Sequence, residues 1–198
     1  MPGLANLQAG MICALPSDEV KYNVIMNIWR DITPQPNAYR HLYHYRNGKG
    51  ANYTEDVQQL FSSNPRVAYR IAKLIDEQIK GGASLNGVIV GKGMDDDTTP
   101  PIRQSDYDSD DWRNANGNID QVSWSLIGAY NPRSQNTFII TLIDPYTWHP
   151  NEKRPTQCIH QAMERLKSAG AADYMTIGSG IITLPAPSQT PDFPIIDI

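Results

Sequence analysis

The apolar residues of this 198-residue chain follow a helical spacing in its first half and a strand-like spacing in its second half. Ser17 precedes apolar residues spaced four apart, which predicts a capped amphipathic helix. A stronger helix is predicted to begin at Pro65 and to end at Gly81, because proline suits the first helical position and glycine suits a helix end. A shorter helix, from Thr54 to about Phe61, is predicted before it. The apolar residues of the two longer helices are Val20, Val24, Ile25, Ile28 and Trp29 in the first and Val67, Ile71, Leu74, Ile75 and Ile79 in the second.

The residues after position 82 predict strands and one further helix. Residues 87–91 form a short strand-like run, and residues 122–130 and 137–143 read as an antiparallel hairpin rich in β-forming residues. Residues 156–169 have amphipathic helical spacing, and residues 175–184 return to a strand interrupted by two glycines. Because helices precede antiparallel strands, the sequence predicts an α+β fold. In this fold N-terminal helices pack on a mainly antiparallel, strongly twisted sheet or half-barrel.

The length fits one domain, because domains of about 100 to 200 residues are common. We predict a single α+β domain over residues 1–184, helical over 17–82 and mainly β over 83–184. Residues 185–198 carry several prolines and are expected to form a tail that is extended or loose.

Charge and hydropathy exclude two classes of partner. The net charge is −4 and no basic run occurs, whereas binding to nucleic acid through phosphates needs clustered Lys and Arg. The longest apolar runs have about six residues, far short of the roughly 20 that a membrane helix needs, so no transmembrane segment is expected. Residues 1–16 lack a positive charge before their apolar patch and make a poor signal peptide. We therefore expect a protein secreted or delivered to a target cell without a visible signal peptide, or otherwise a cytoplasmic one.

Two cysteines, Cys13 and Cys158, are present. They could pair, but the sequence favours buried free thiols, since free cysteine is among the most buried residue types. The absence of a CxxC pair and of Cys/His ligand spacing argues against a structural zinc site.

An acidic loop follows the short strand. Asp106, Asp108 and Asp110 alternate as calcium ligands do at the start of an EF-hand loop. Position six is Asp111 rather than glycine, and Gly117 stands where the bidentate glutamate is needed. A solvated acidic loop is the favoured interpretation, and a Ca²⁺ site remains a secondary hypothesis.

Residues 39–46 alternate tyrosine, histidine and arginine and lead into an Asn-Gly-Lys-Gly segment. Tyrosine and histidine combine an apolar body with a polar tip, which suits sugar stacking in a partly wet cleft. Tyr43 and His44 are therefore candidate substrate contacts. The alternative is a short amphipathic helix with an aromatic core face and a glycine stop.

Residues 144–154 place several reactive side chains within a short segment after the predicted hairpin. Asp144 could hold a metal ion or act as a nucleophile or base, Arg154 could clamp phosphate oxygens, and His149 could transfer a proton. These roles together indicate phosphoryl chemistry. The alternative is a polar turn with Tyr146 and Trp148 packed beneath it.

The same segment resembles the catalytic signature of the colicin M family of lipid II-degrading bacteriocins, which reads Asp-x-Tyr-Asp, five residues, then His-Arg. Asp144, Tyr146 and Arg154 match at the right spacing, and Trp148 resembles the residues between them. Two positions depart from the signature: Thr147 stands for the second aspartate and Lys153 for the histidine. The resemblance is sharp over residues 144–154 and loose over residues 39–180.

The resemblance implies hydrolysis of the lipid-linked peptidoglycan precursor between undecaprenol and pyrophosphate, assisted by Mg²⁺ at Asp144. Tyr146, Arg154 and His149 would join Asp144 in catalysis. Lys153, Thr147 and Trp148 would contact the substrate, although threonine is a poor nucleophile without an activating base. An immunity protein is the implied protein partner. The alternative function is a non-catalytic module on the same scaffold that binds a glycan, a lipid head group or a partner protein.

Overall fold

The structure of the protein is a computed structural model that describes residues 9–91, 100–148 and 156–188. It confirms the α+β fold, with helices packed on one five-stranded sheet. Residues 9–13 form a short helical turn at the start of the described chain. The helices that follow are α1 (Asp18–Asn27, continued by a π-helical turn Ile28–Ile32), α2 (Pro36–Asn47), α3 (Val57–Ser63), α4 (Pro65–Lys80), α5 (Asp110–Asn116) and α6 (Gln157–Arg165), with 3-10 turns at Gln104–Asp106 and Leu166–Ala169.

The sheet is open and mainly antiparallel, in the order β1-β5-β4-β3-β2. Its strands are β1 (Tyr53–Thr54), β2 (Asn86–Val90), β3 (Gln121–Ile127), β4 (Asn136–Tyr146) and β5 (Tyr174–Leu184). Only the short edge strand β1 runs parallel to its neighbour β5, and all other pairs are antiparallel. The predicted hairpin is therefore β3–β4, and the helix and strand after it are α6 and β5.

The two longer helices begin where their sequences predict. The Ser17 side chain accepts the main-chain N–H of Val20, and acidic residues occupy the first turn of α1. Helix α4 has Pro65 at its first position and ends before Gly82, whose φ of +93° is the left-handed conformation that glycine adopts readily. The predicted helix at 54–61 is shifted, since Thr54 lies in β1 and α3 begins at Val57.

The glycines of β5 do not interrupt the strand, which runs unbroken from Tyr174 to Leu184. They allow the chain between β1 and α3 to approach the sheet. A Cβ atom at position 178 would lie 2.7 Å from the Glu55 carbonyl oxygen and would also collide with Val57. Glycine is therefore required where α3 crosses the inner face of β5.

The helices cover one face of the sheet with two apolar clusters. The first, which we call the sheet core, lies between α3, α4 and the middle of the sheet; the second, the tyrosine core, lies between α1, α2, α6 and the ends of β4 and β5. The sheet core includes Leu60, Val67, Ile71, Ile75, Val122, Trp124, Phe138, Ile140, Leu142 and Leu184. The tyrosine core includes Tyr22, Ile25, Leu42, Tyr45, Tyr146, Met163, Leu166 and Tyr174.

The expectation of free thiols is wrong, because Cys13 and Cys158 form a disulfide with their Cα atoms 5.7 Å apart. Both cysteines are half-buried rather than buried. The bond joins the first helical turn of the described chain to α6, which the Asp18–Arg165 ion pair also holds against α1. The two cysteines are 145 residues apart, so no local sequence pattern predicts that they pair.

The predicted tail begins with ordered contacts in its described part. Ala186 is buried, and the main-chain N–H of Ser188 donates to the Pro132 carbonyl at 3.3 Å. Residues 189–198 lie outside the described residues. Among the helices of the described ranges, none is long and apolar enough to cross a membrane.

Candidate functional site

The first half of the candidate catalytic segment belongs to the sheet. Strand β4 continues through Asp144, Pro145 and Tyr146, so the segment does not follow the strand as the sequence predicted. Asp144 pairs with Thr176 and Tyr146 with Tyr174 on β5. Strand β3 begins opposite Ile143, so this end of β4 has a strand on one side only, which tolerates a proline without an N–H donor.

Asp144 continues the buried face of β4 and is only 4% exposed. One of its carboxyl oxygens accepts the main-chain N–H of Asp120 at 3.1 Å. Burial raises the pKa of the Asp144 carboxyl well above its ordinary range, and the charge of Asp120 raises it further, against the opposing effect of that N–H. Burial therefore makes this carboxyl harder to ionise than one in water, whereas a metal ligand must be ionised.

Tyr146 packs inside the tyrosine core. Its ring stacks on that of Tyr174, with centroids 4.7 Å apart and 11° between the planes. It also contacts the rings of His41, Tyr45 and Trp148 at 5.6 to 6.1 Å. Burial raises the pKa of its phenol, so this hydroxyl is a poor proton donor near neutral pH.

The next two residues, Thr147 and Trp148, leave the strand and are partly exposed. The Trp148 ring lies edge-on to Tyr45 of α2 at 6.0 Å and to His160 of α6 at 5.0 Å. His160 is a partly exposed imidazole that the motif analysis did not single out, because it lies outside the signature. His149, Lys153 and Arg154 lie outside the described residues. The described chain stops at Trp148 and resumes at Thr156, just before α6.

Residues 39–46 form part of helix α2, as the alternative to a cleft predicted. Tyr43 is more than half exposed and stacks on Tyr39 at 6.4 Å. His44 is partly exposed, and its ring lies edge-on to Tyr174 at 4.6 Å. The structure therefore brings His44 to the tyrosine core, whereas Tyr43 lies on the solvent side of the helix.

A buried polar trio, His41, Glu55 and Tyr174, lies beside the candidate motif and was not predicted as a site. His41 Nε2 is 2.9 Å from Glu55 Oε2, and His41 Nδ1 is 2.9 Å from the Tyr174 hydroxyl. A carboxylate can only accept, so an ionised Glu55 requires a proton on Nε2. The Tyr174 hydroxyl also lies 3.1 Å from the His41 carbonyl oxygen. All three residues are at most 6% exposed, so the trio has no solvent-facing surface for a substrate.

Part of this trio could have been found from the sequence. Once α2 is treated as a helix, His41 falls on the same face as Ala38, Leu42 and Tyr45, all of which are buried. Glu55 follows a two-residue strand and carries no comparable periodic signal. A buried histidine needs a hydrogen-bonded partner whether its role is structural or catalytic. The burial of His41 therefore does not distinguish the two roles.

The acidic loop is ordered by arginines. Asp106 pairs with Arg70 at 3.0 Å, Asp108 with Arg66 at 3.3 Å, and Asp110 with Arg113. Helix α5 begins within this predicted loop. Asp111 accepts the main-chain N–H groups of residues 37 and 38, which caps the start of α2 from a distant part of the chain.

A calcium ion would have to compete with these arginines for the carboxylates. In the part of the chain that the structure describes, no group of three or more His, Cys, Asp or Glu side chains is arranged to hold a metal. Ca²⁺ and Mg²⁺ binding both stay predictions.

Comparison of the chain with protein-family models, with curated proteins and with solved structures finds no match. The relation to the colicin M family therefore remains a resemblance that rests on the residues of the motif.

Proposed function

We propose that this chain is the toxin-type domain of an antibacterial effector that hydrolyses the lipid-linked peptidoglycan precursor at its undecaprenyl–pyrophosphate bond. In this reaction water adds to phosphorus, and undecaprenol leaves with a proton. The observation that supports the proposal best is the position of the motif. Its Asp-x-Tyr half is buried at the end of the central strand β4, and its second half follows directly from Trp148.

Burial of Asp144 and Tyr146 supports a positioning role for both residues within this proposal. Asp144 accepts the N–H of Asp120, and Tyr146 stacks on Tyr174, so both fix the point at which the chain leaves the sheet. Direct contact with the pyrophosphate would then fall to Arg154 and Lys153, whose cations suit phosphate oxygens. His149 is the candidate proton donor to the leaving alcohol.

Mg²⁺ would neutralise the pyrophosphate and assist attack on phosphorus when bound. Burial of Asp144 opposes its use as the ligand, because it raises the pKa of a carboxyl that must ionise to bind the metal. Magnesium held mainly by the substrate's own phosphates would require fewer protein ligands.

The first test is incubation of the purified chain with lipid II and Mg²⁺, followed by mass measurement of the released pyrophosphoryl head group. We expect release that is lost in Arg154→Ala and retained in Arg133→Ala, because Arg133 is an exposed arginine in the β3–β4 turn at the other end of β4. Release by Arg154→Ala at the wild-type rate would remove Arg154 from the proposed site. Chelation of Mg²⁺ should stop release, and release that survives chelation would contradict the metal-assisted scheme.

Asp144→Asn separates the two roles of Asp144. Asparagine keeps an oxygen that accepts the Asp120 N–H but is a far weaker ligand for Mg²⁺. If Asp144 is a positioning residue, the Asp144→Asn variant should release product at a rate within about threefold of wild type, because the end of the strand is preserved. Loss of more than about a hundredfold, with the fold intact, would instead assign Asp144 to the reacting centre.

The second candidate function is a non-catalytic binding module, and burial of Asp144 together with the exposed ring of Tyr43 favours it. Binding of lipid II without release of product would support this function and contradict the hydrolase. Tyr43→Ala should then weaken binding by about tenfold while Tyr43→Phe keeps it, because stacking needs the ring and not the hydroxyl. Neither binding nor release by a folded protein would contradict both functions.

A further inference from the structure

The face of the sheet opposite the helices is open to solvent and carries no charge. It consists of the odd-numbered residues of β3, β4 and β5 and the even-numbered residues of β2, which alternate with the buried ones. Each of these side chains is apolar, a hydroxyl or an amide, although charged residues make up 19% of the chain. Ile139 and Ile181 are among its exposed aliphatic residues. Solvated sheet faces normally carry charged residues, so an uncharged face with several exposed aliphatic side chains indicates a contact surface.

Four hydroxyl groups on the β4–β5 part of this face are paired with each other across the strands. Thr141 Oγ1 lies 3.0 Å from Ser179 Oγ, and Thr137 Oγ1 lies 3.1 Å from Thr183 Oγ1. A hydroxyl that already has a partner is less costly to bury than a free one. The face can therefore be covered by an apolar surface without leaving these groups unsatisfied.

The composition of the face argues against several kinds of partner. Nucleic acid and anionic lipid surfaces require Lys or Arg, and the face carries neither. Glycans are held by aromatic rings and free polar groups, and none of the outward residues of β2 to β5 is aromatic. An uncharged partner surface with both aliphatic and hydroxyl side chains fits this face best, and this chain itself provides one.

The rows of side chains across the strands make the face complementary to itself. The register places a central row of hydroxyls, with Thr141 opposite Ser179, between two isoleucine rows, with Ile139 opposite Ile181 and Ile143 opposite Ile177. On β4 and β5, a two-fold axis that runs across the strands at the hydroxyl row brings the Ile139/Ile181 row of one copy onto the Ile143/Ile177 row of the other, and the hydroxyl row onto itself. Two-fold symmetry therefore needs no second, different surface.

The size of the face suits a small dimer. Strands β2 to β5 have 5, 7, 11 and 11 residues. At about 4.8 Å between strands and about 3.3 Å per residue, they span roughly 540 Å² before the relief of the side chains is added. A standard interface buries about 800 Å² on each partner, so this face fits a small interface at the low end of the range.

We propose that two copies of this chain associate through the uncharged faces of their sheets. The dimer would be a helix–sheet–sheet–helix sandwich, with the two sheets about 10 Å apart. This inference is independent of the proposed function, because the motif at the end of β4 points its buried residues to the opposite side of the sheet.

The test is the mass of the full chain in solution, measured by sedimentation over a range of protein concentrations. We expect a dimer whose dissociation constant rises about a hundredfold in Ile181→Lys, because the lysine charge would be buried without a partner. Ile32→Lys is the matched control: Ile32 is 69% exposed and Ile181 58%, but Ile32 lies after α1 and not on the sheet. The control should remain dimeric, and both variants should keep the wild-type circular dichroism.

Ile139→Glu provides a second variant of opposite charge at the same row, and it should dissociate the dimer as well. Two results would overturn the proposal. One is a chain that stays monomeric at the highest concentrations reached, which would leave the face to another segment or another protein. The other is a dimer that Ile181→Lys and Ile139→Glu leave unchanged, which would place the interface elsewhere.

Discussion

The sheet core and the tyrosine core lie side by side under the same helix layer, but they are stabilised in different ways. The sheet core is mainly aliphatic and follows the periodicity of α4 and of the inner faces of β3 and β4. The tyrosine core gathers aromatic rings from α1, α2, β4 and β5 around buried polar groups, including His41 and Glu55. The first depends mainly on apolar burial. The second depends also on hydrogen bonds that must all be formed together.

This difference predicts that the two cores tolerate substitutions differently. Aliphatic packing tolerates substitutions of similar volume, whereas a buried polar group without its partner is costly. The Asp-x-Tyr half of the candidate motif ends in the tyrosine core, where Tyr146 stacks on Tyr174 and Tyr174 bonds to His41. Changes in this trio should therefore reach the strand end that presents the motif.

The largest expected effect is that of His41→Leu. It leaves Glu55 buried without the imidazole and Tyr174 without its ring partner, which should lower the free energy of unfolding by about 3 to 5 kcal/mol. Urea unfolding measures the loss. Ile75→Val in the sheet core is the comparison and should cost about 0.5 to 1.5 kcal/mol.

The double variant His41→Leu/Glu55→Leu sharpens this comparison. Removing both partners removes the buried unpaired carboxyl, so the double variant should be more stable than His41→Leu alone. A loss in His41→Leu no larger than that in Ile75→Val would contradict the distinction between the two cores.

The sheet core could be predicted from the sequence to a large extent. The signals for this region are local: Pro65, the apolar stripe of α4, and the alternation of β3 and β4. The structure confirms the helix and the two strands that these signals predict. The predicted end of β4, at residue 143, was wrong because Asp144 and Pro145 are residue types typical of turns. The strand tolerates them for two reasons. Strand β3 starts opposite Ile143 and so does not pair with Asp144 or Pro145, and the Asp144 carboxyl accepts the Asp120 N–H.

The tyrosine core was mostly beyond prediction, because its partners are far apart in sequence. His41 meets Tyr174 across 133 residues, and Cys13 meets Cys158 across 145. No local spacing encodes either pair. The candidate site could be predicted as a motif, but the burial of Asp144 depends on strand pairing that the motif does not contain.

The second prediction concerns the disulfide, which fastens α6 to the first helical turn beside the tyrosine core. Cys13→Ser/Cys158→Ser should lower the free energy of unfolding by about 2 to 4 kcal/mol, since the cross-link restricts the unfolded chain. A reducing agent should shift the urea midpoint of the wild type and leave that of the double variant unchanged. Hydrogen exchange should show the loss at α6 more than at α4. A wild-type midpoint that does not respond to full reduction would contradict this prediction.

The third prediction uses Asp144, which borders both cores. The folded protein holds its proton more tightly than the unfolded chain, whose carboxyl has a pKa near 3.8. Folding therefore loses stability as the pH rises above that value and through the folded pKa, because the unfolded state then binds fewer protons than the folded state. Asp144→Asn cannot ionise, so its stability relative to wild type should increase as the pH rises above about 4 and level off once the folded carboxyl has ionised.

The charges that face Asp144 belong to Asp120, and the Tyr107 hydroxyl is a further group within electrostatic reach. Asp120→Asn should therefore reduce the pH dependence but not remove it, because burial is the larger cause of the raised pKa. A difference between wild type and Asp144→Asn that stays constant with pH would show that the carboxyl is ionised when folded.

The smallest expected effect is that of Thr176→Val, which tests whether every buried polar group near the motif is needed. Thr176 is 3% exposed and pairs with Asp144 across the strands, yet its hydroxyl has no hydrogen-bond partner among the described residues. Valine has nearly the same shape, so the variant should be as stable as the wild type or more stable by up to about 1 kcal/mol. Thr137→Val on the opposite face is the control, because its hydroxyl is paired with Thr183. A loss of more than about 1 kcal/mol in Thr176→Val would show that its hydroxyl bonds to Asp144 or to a bound water. The polar network of the tyrosine core would then extend to the motif.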